Sequence, residues 1–119
     1  MKNVKYIGFF VVVLLTGMSL VAMKADATPP RYIGLKYDTN TDTLKVTITH
    51  LTPVRGIHYI YRVAVEKNGV IVQSHFYSKQ PSFFINRFEY NISAGPGDKL
   101  TISAYCILFG YNSMSITVS

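Results

Sequence analysis

The chain has 119 residues, one cysteine and a formal net charge of +6, with nine Tyr, seven Phe and no Trp. That length admits one small domain at most, and a single cysteine rules out an internal disulfide framework. The basic residues are spaced singly along the sequence, as on solvated strand faces, and not gathered in the stripe that a nucleic-acid binder presents, so nucleic acid is excluded as a partner class.

Lys2 and Lys5 precede an apolar run from Tyr6 to Val21, and Ala25-Asp26-Ala27 sets small residues at the minus-three and minus-one positions of a cleavage site. This pattern predicts a secretory signal peptide over residues 1–27, and hence an extracytoplasmic protein, secreted or held at the cell surface. The competing reading is an uncleaved membrane anchor through residues 6–23, an uncharged stretch close to the length of a spanning helix. A membrane is a partner only in that case. The remaining domain, 28–119, holds nine Lys and Arg against five Asp and Glu, a net charge of +4.

Thr28-Pro29-Pro30 is an extended lead-in, because each proline fixes its own φ and pushes the residue before it out of helical geometry. A strand is predicted over 31–37, followed by a turn at 38–42 whose Asp, Asn and Thr side chains bond their own backbone. Over 43–50 the alternation is clearest: Leu44, Val46, Ile48 and His50 share one face, and Lys45, Thr47 and Thr49 the other. A short loop with Pro53 and Gly56 leads to a strand opened by His58 and running to Lys67. Asn68-Gly69 then stands between two β-rich runs, a strong hairpin signal because both residues tolerate the positive φ of a type I′ turn. Further strands are predicted over 70–77, 83–92, 100–106 and 113–119, separated by a Pro81 loop, by Ala94-Gly95-Pro96-Gly97-Asp98, and by Gly110 with Asn112. Seven short strands with no helical period predict an all-β fold, an immunoglobulin-like β-sandwich, with a small closed barrel as the alternative.

In such a sandwich His50 ends one strand at the pole where His58 opens the next. His75 rises to the same rim, and Cys106 closes a strand that ascends beside the third. One thiolate and two imidazoles at one pole suit iron, copper or zinc. Taken singly, each residue has a plainer reading: His50 as a hydrogen-bonded core histidine, His58 and His75 as rim residues, Cys106 as a small buried hydrophobe.

At these residues the chain resembles the iron-binding domain of desulfoferrodoxin and superoxide reductase. The matching pieces, in order, are Thr49-His50, His58-Tyr59-Ile60, Gly97-Asp98, and Cys106-Ile107-Leu108-Phe109-Gly110. The resemblance implies an iron cofactor, a superoxide-reducing oxidoreductase activity, and metal ligation by His50, His58 and Cys106. It also marks departures. Phe109 stands where that family's Cys-x-x-His-Gly motif carries a ligand, the lead-in from Thr28 to Tyr37 has no His, and His50 is followed by Leu51 where the family has Pro. His75 and the Met114 thioether are candidate replacement ligands.

The run of His, His-aromatic-Ile, Asn-Gly and Gly-Asp is also similar to the sulfur-carrier-binding Z subunit of thiosulfate oxidation. That resemblance implies a non-catalytic immunoglobulin-like binding or structural module, with a protein partner or self-association and no metal. A third reading, an adhesin or surface-layer component, has the leader and the tyrosine content behind it. No hydrolase constellation is present: Asp38, Asp42, Glu66, Glu89 and Asp98 all fall at turns or on strand surfaces.

Overall fold

A computed structural model describes residues 29–108 and 110–119. The predicted leader at 1–27, the predicted anchor at 6–23 and the position of Phe109 lie outside the described residues. Seven strands follow one another: β1 Tyr32–Asp38, β2 Thr43–Thr49, β3 Ile60–Lys67, β4 Val70–Phe76, β5 Ile85–Asn91, β6 Lys99–Cys106 and β7 Tyr111–Thr117. They form two sheets, β1-β2-β5 and β4-β3-β6-β7, with every pairing antiparallel. Two open sheets replace the closed-barrel alternative. No described helix is long and apolar enough to cross a membrane.

The core follows from the period of two. Leu44, Val46 and Ile48 on β2 are fully buried against Val63 and Val65 of β3 and Leu100, Ile102 and Ala104 of β6, with Ile33 and Tyr90 closing the layer. Each buried aliphatic side chain contributes roughly 1.5–3 kcal/mol by leaving water, so these positions fix which face of each strand turns inward.

The hairpin turn is as the sequence predicts, with Asn68 at φ 54° and Gly69 at φ 83°. The Asn68 amide also donates to Asp98 Oδ1 at 2.9 Å, and its Oδ1 accepts the Lys99 N–H at 2.9 Å, tying this turn to the next. Because all seven strands alternate in direction, the starts of β1, β3, β5 and β7 meet the ends of β2, β4 and β6 at one pole.

Strand bounds differ from the sequence expectation where loops make backbone bonds of their own. β3 begins at Ile60, not His58, because the Ile57 and His58 N–H groups both turn back to Val54 O, at 3.1 and 2.9 Å. β7 begins at Tyr111, so Asn112 lies within a strand and takes no part in the turn, while Gly110 adopts φ 66°.

Candidate metal centre

His50 directly follows β2, and its N–H donates to Phe84 O at 2.9 Å. The alternation begun at Leu44 carries its ring inward, where it is buried. His58 ends the tight turn from Val54 and is half-buried. Cys106 is the last residue of β6, buried and not in a disulfide. Its N–H donates to Gly110 O at 3.0 Å, and it lies opposite Ile60 in the β3–β6 register, two residues from His58.

These three residues each offer one donor atom, and the donor atoms lie within 4.8 Å of one another. The two imidazoles stand edge to face, ring centroids 4.7 Å apart and 89° between planes. Ligands of one ion with metal–nitrogen bonds near 2.1 Å and a metal–sulfur bond near 2.3 Å sit roughly 3.3–3.8 Å apart. The set therefore needs to close by about an ångström to grip an ion.

A residue that the sequence does not single out organises this centre. Gln80, in the loop between β4 and β5, is completely buried. Its amide nitrogen donates to His50 O at 3.1 Å and to Ser82 O at 2.9 Å, while Oε1 accepts the Ile60 N–H at 3.1 Å and also meets His50 Nδ1. With both amide hydrogens directed at carbonyls, Oε1 can only accept, so His50 carries its proton on Nδ1 and its lone pair on Nε2. An outer partner that sets ring orientation and tautomer in this way is what metal-ligating histidines have. Nothing in the sequence marks Gln80, a single polar residue beside Pro81, because every one of its partners is supplied by the fold.

The other candidates fall elsewhere. His75 is not among the three clustered donors. It packs inward, its ring 4.3 Å from that of Tyr90 and nearly parallel to it, and Nε2 meets Gln73 Oε1 at 2.8 Å. A strict period of two from Val70 and Val72 would turn it outward, but the register shifts opposite Val65 and Glu66, and beyond that shift His75 stands opposite the buried Val63, on the inner face. Met114 is exposed in mid-β7 opposite Ile102, which keeps its thioether away from the end of β6. A depression of about 410 Å³ on the three-stranded sheet, bordered by Gly34, Lys36, Lys45, Arg87 and Glu89, is lined by none of the three donors.

Away from this pole, burial and a hydrogen bond with Tyr77 push the Tyr90 hydroxyl pKa far up, so that it stays neutral. Asp98 is held below the usual carboxylate range, first by the Gly95 N–H and then by the Asn68 amide. Neither group is near the donors, so titration there acts on the fold alone. No protein-family model matches the chain, and no curated protein sequence does.

Proposed function

We propose that this protein binds a transition metal through His50, His58 and Cys106, on a frame akin to the superoxide reductase iron domain. The observation that carries the reading is the meeting of two imidazoles and a thiol, brought from three separate stretches of chain, within 4.8 Å. The Gln80 contact with His50 supports it, since it presents the Nε2 lone pair as the donor.

Two borderline nitrogens and a soft sulfur suit iron, copper or zinc better than magnesium or calcium, which take oxygen ligands. Iron is the metal that the family resemblance implies, and one-electron reduction of superoxide is the activity it implies. Three protein donors leave further positions on the ion to water or substrate. The predicted leader sets this chemistry outside the cytoplasm, in an immunoglobulin-like exported domain.

The test is metal analysis of the full chain beside Cys106→Ala, with cobalt(II) as an optical probe. The expected result is about one equivalent of metal per chain and a thiolate charge-transfer band, both lost in the variant. Equal, near-zero iron, copper and zinc in both proteins would sink the reading and leave the binding-module alternative in its place.

A further inference from the structure

The pole that carries the three donors is also where the fold collects its exposed apolar side chains and its unopposed cations. Of the fifteen exposed large hydrophobic residues among the described residues, eleven lie at this end, which singles it out from the rest of the surface. Leu51, Val54 and Ile57 stand on the loop between β2 and β3, Phe83 and Phe84 precede β5, and Leu108 follows β6. Exposed apolar side chains gathered at one end of a small domain mark an interaction site.

The charges sort in the same direction. Arg31, Arg55, Arg62, Lys79 and Arg87 lie at or near the donor pole, at the starts of β1, β3 and β5 or in the loops that join them. All five acidic residues of the described domain sit toward the other end: Asp38 and Asp42 at the β1–β2 turn, Glu66 and Asp98 at the β3–β4 and β5–β6 ends, and Glu89 late in β5. A net charge that looks mild and scattered in the sequence is therefore polar in space. Four lysines meet the five acids at one end, a net charge of −1, and five cations stand at or near the other, a net charge of +5.

The chain also enters the domain at that pole. The Arg31 N–H donates to Thr49 O at 2.9 Å, and Pro29 packs over Gly110, 3.4 Å from where a Cβ there would stand. In sequence, the uncharged run from Tyr6 to Met23 ends six residues before Pro29. Six residues reach at most about 20 Å. A strand of seven or eight residues already spans about 25 Å, so a domain held through that run keeps this pole, and not the acidic one, near whatever holds it.

From these three features we infer that the donor pole docks on an anionic lipid bilayer, with Leu51, Ile57, Phe83, Phe84 and Leu108 entering the interface and the cations facing the headgroups. Apolar side chains surrounded by Lys and Arg are the composition of interfacial membrane binders. A bilayer answers both the cations and the projecting apolar side chains, and the entry of the chain at this pole, six residues after the uncharged run, favours it over an acidic protein. The inference rests on the surface of the pole and on where the chain enters it, and does not depend on the metal reading.

The absence of tryptophan makes the test direct. Full-length Ile57→Trp, Phe84→Trp and, at the opposite end, Asn40→Trp are each mixed with vesicles of equal parts phosphatidylcholine and phosphatidylglycerol, with and without brominated acyl chains. Tryptophan at 57 and at 84 is expected to shift to shorter wavelength and to be quenched by bromine, and tryptophan at 40 to do neither. Two reporters guard against one of them failing to fold. Lys79→Gln in the Phe84→Trp background is expected to reduce the docked population about fivefold, and phosphatidylcholine alone to reduce it further. Unquenched tryptophan at both 57 and 84, or equal quenching at 40, overturns the inference and leaves an acidic protein as the partner for the pole. Quenching that is indifferent to phosphatidylglycerol overturns the requirement for an anionic surface.

Discussion

Replacing Gln80 with Met tests the organisation of the centre most sharply, since the side-chain volume is nearly kept while every polar contact is removed. The amide makes four contacts, with Ile60 N–H, His50 Nδ1, His50 O and Ser82 O. At roughly 1 kcal/mol net for each neutral hydrogen bond, their loss costs about 4 kcal/mol. A domain of this size is stable by about 5–13 kcal/mol, so the variant still folds but with a much smaller margin. Urea unfolding followed by circular dichroism should show the midpoint falling by about 2–4 M for a slope of about 1–2 kcal/mol per molar. In the same variant the metal-free protein should lose the single Nδ1–H tautomer of His50, read by nitrogen chemical shifts. Affinity for zinc or cobalt should drop roughly 10–100-fold. An unchanged His50 tautomer together with a midpoint shift below about 0.5 M would refute the role assigned to Gln80. A wild-type protein that takes up no metal would refute the metal reading alone.

Gly69→Ala meets no neighbouring atom but must adopt φ 83°, so it should cost about 1–2 kcal/mol in thermal unfolding and leave metal uptake unchanged. Tyr37→Phe removes a hydroxyl that donates to Ile92 O at 2.6 Å and accepts the Ala94 N–H at 3.1 Å, and should lose about 1–2 kcal/mol in the same assay. Asp98 has a folded-state pKa below its ordinary 3.8, so its stabilising effect is present above that value and is lost as pH falls through the depressed one. The stability gap between wild type and Asp98→Asn should thus be full at neutral pH and close in acid. A gap that widens on acidification would reverse the sign of the linkage.

Much of the fold is legible in the sequence because it rests on local patterns. Leu44, Val46 and Ile48 alternate without interruption, and the strand they predict is β2. Asn68-Gly69 predicts a tight hairpin because few other pairs take two positive φ values, and β3 and β4 do pair antiparallel across it. His58 is placed two residues too deep in its strand by the same reasoning, because its N–H is taken by Val54 O and not by a ladder partner, and residue patterns do not encode that choice. Phe83 and Phe84 look like the start of β5, yet their carbonyls bond Thr52 and His50 beyond the regular ladder, extending the pairing irregularly toward the centre. His75 shows the limit of a periodicity argument. A strict period of two from Val70 and Val72 turns it outward, but the register shift opposite Val65 and Glu66 resets the alternation, and the ring packs inward on Tyr90 of the other sheet. Gln80 and the pole of five cations could not be read at all. Each depends on segments far apart in sequence that alternating strand direction brings to one end.

The way the donors are delivered also settles what metal should do to stability. His50 stands beyond Ile48, His58 just before Ile60, and Cys106 two residues past Ala104, and all three anchors are completely buried in the core. The frame is therefore set by apolar packing and by Gln80, not by an ion, unlike small metal-folded domains that are unfolded without one. Metal that binds only the folded state adds RT ln(1 + [L]/Kd), about 2.7 kcal/mol at a hundredfold excess over Kd. The metal-free protein should consequently melt cooperatively, and zinc should raise its Tm. In Cys106→Ala the response should vanish while a cooperative transition remains, since the thiol contributes to the grip on the ion and only modestly to the core. A metal-free chain without a cooperative transition would show the ion to be part of the fold, and would reverse the order of causes from packing first to metal first.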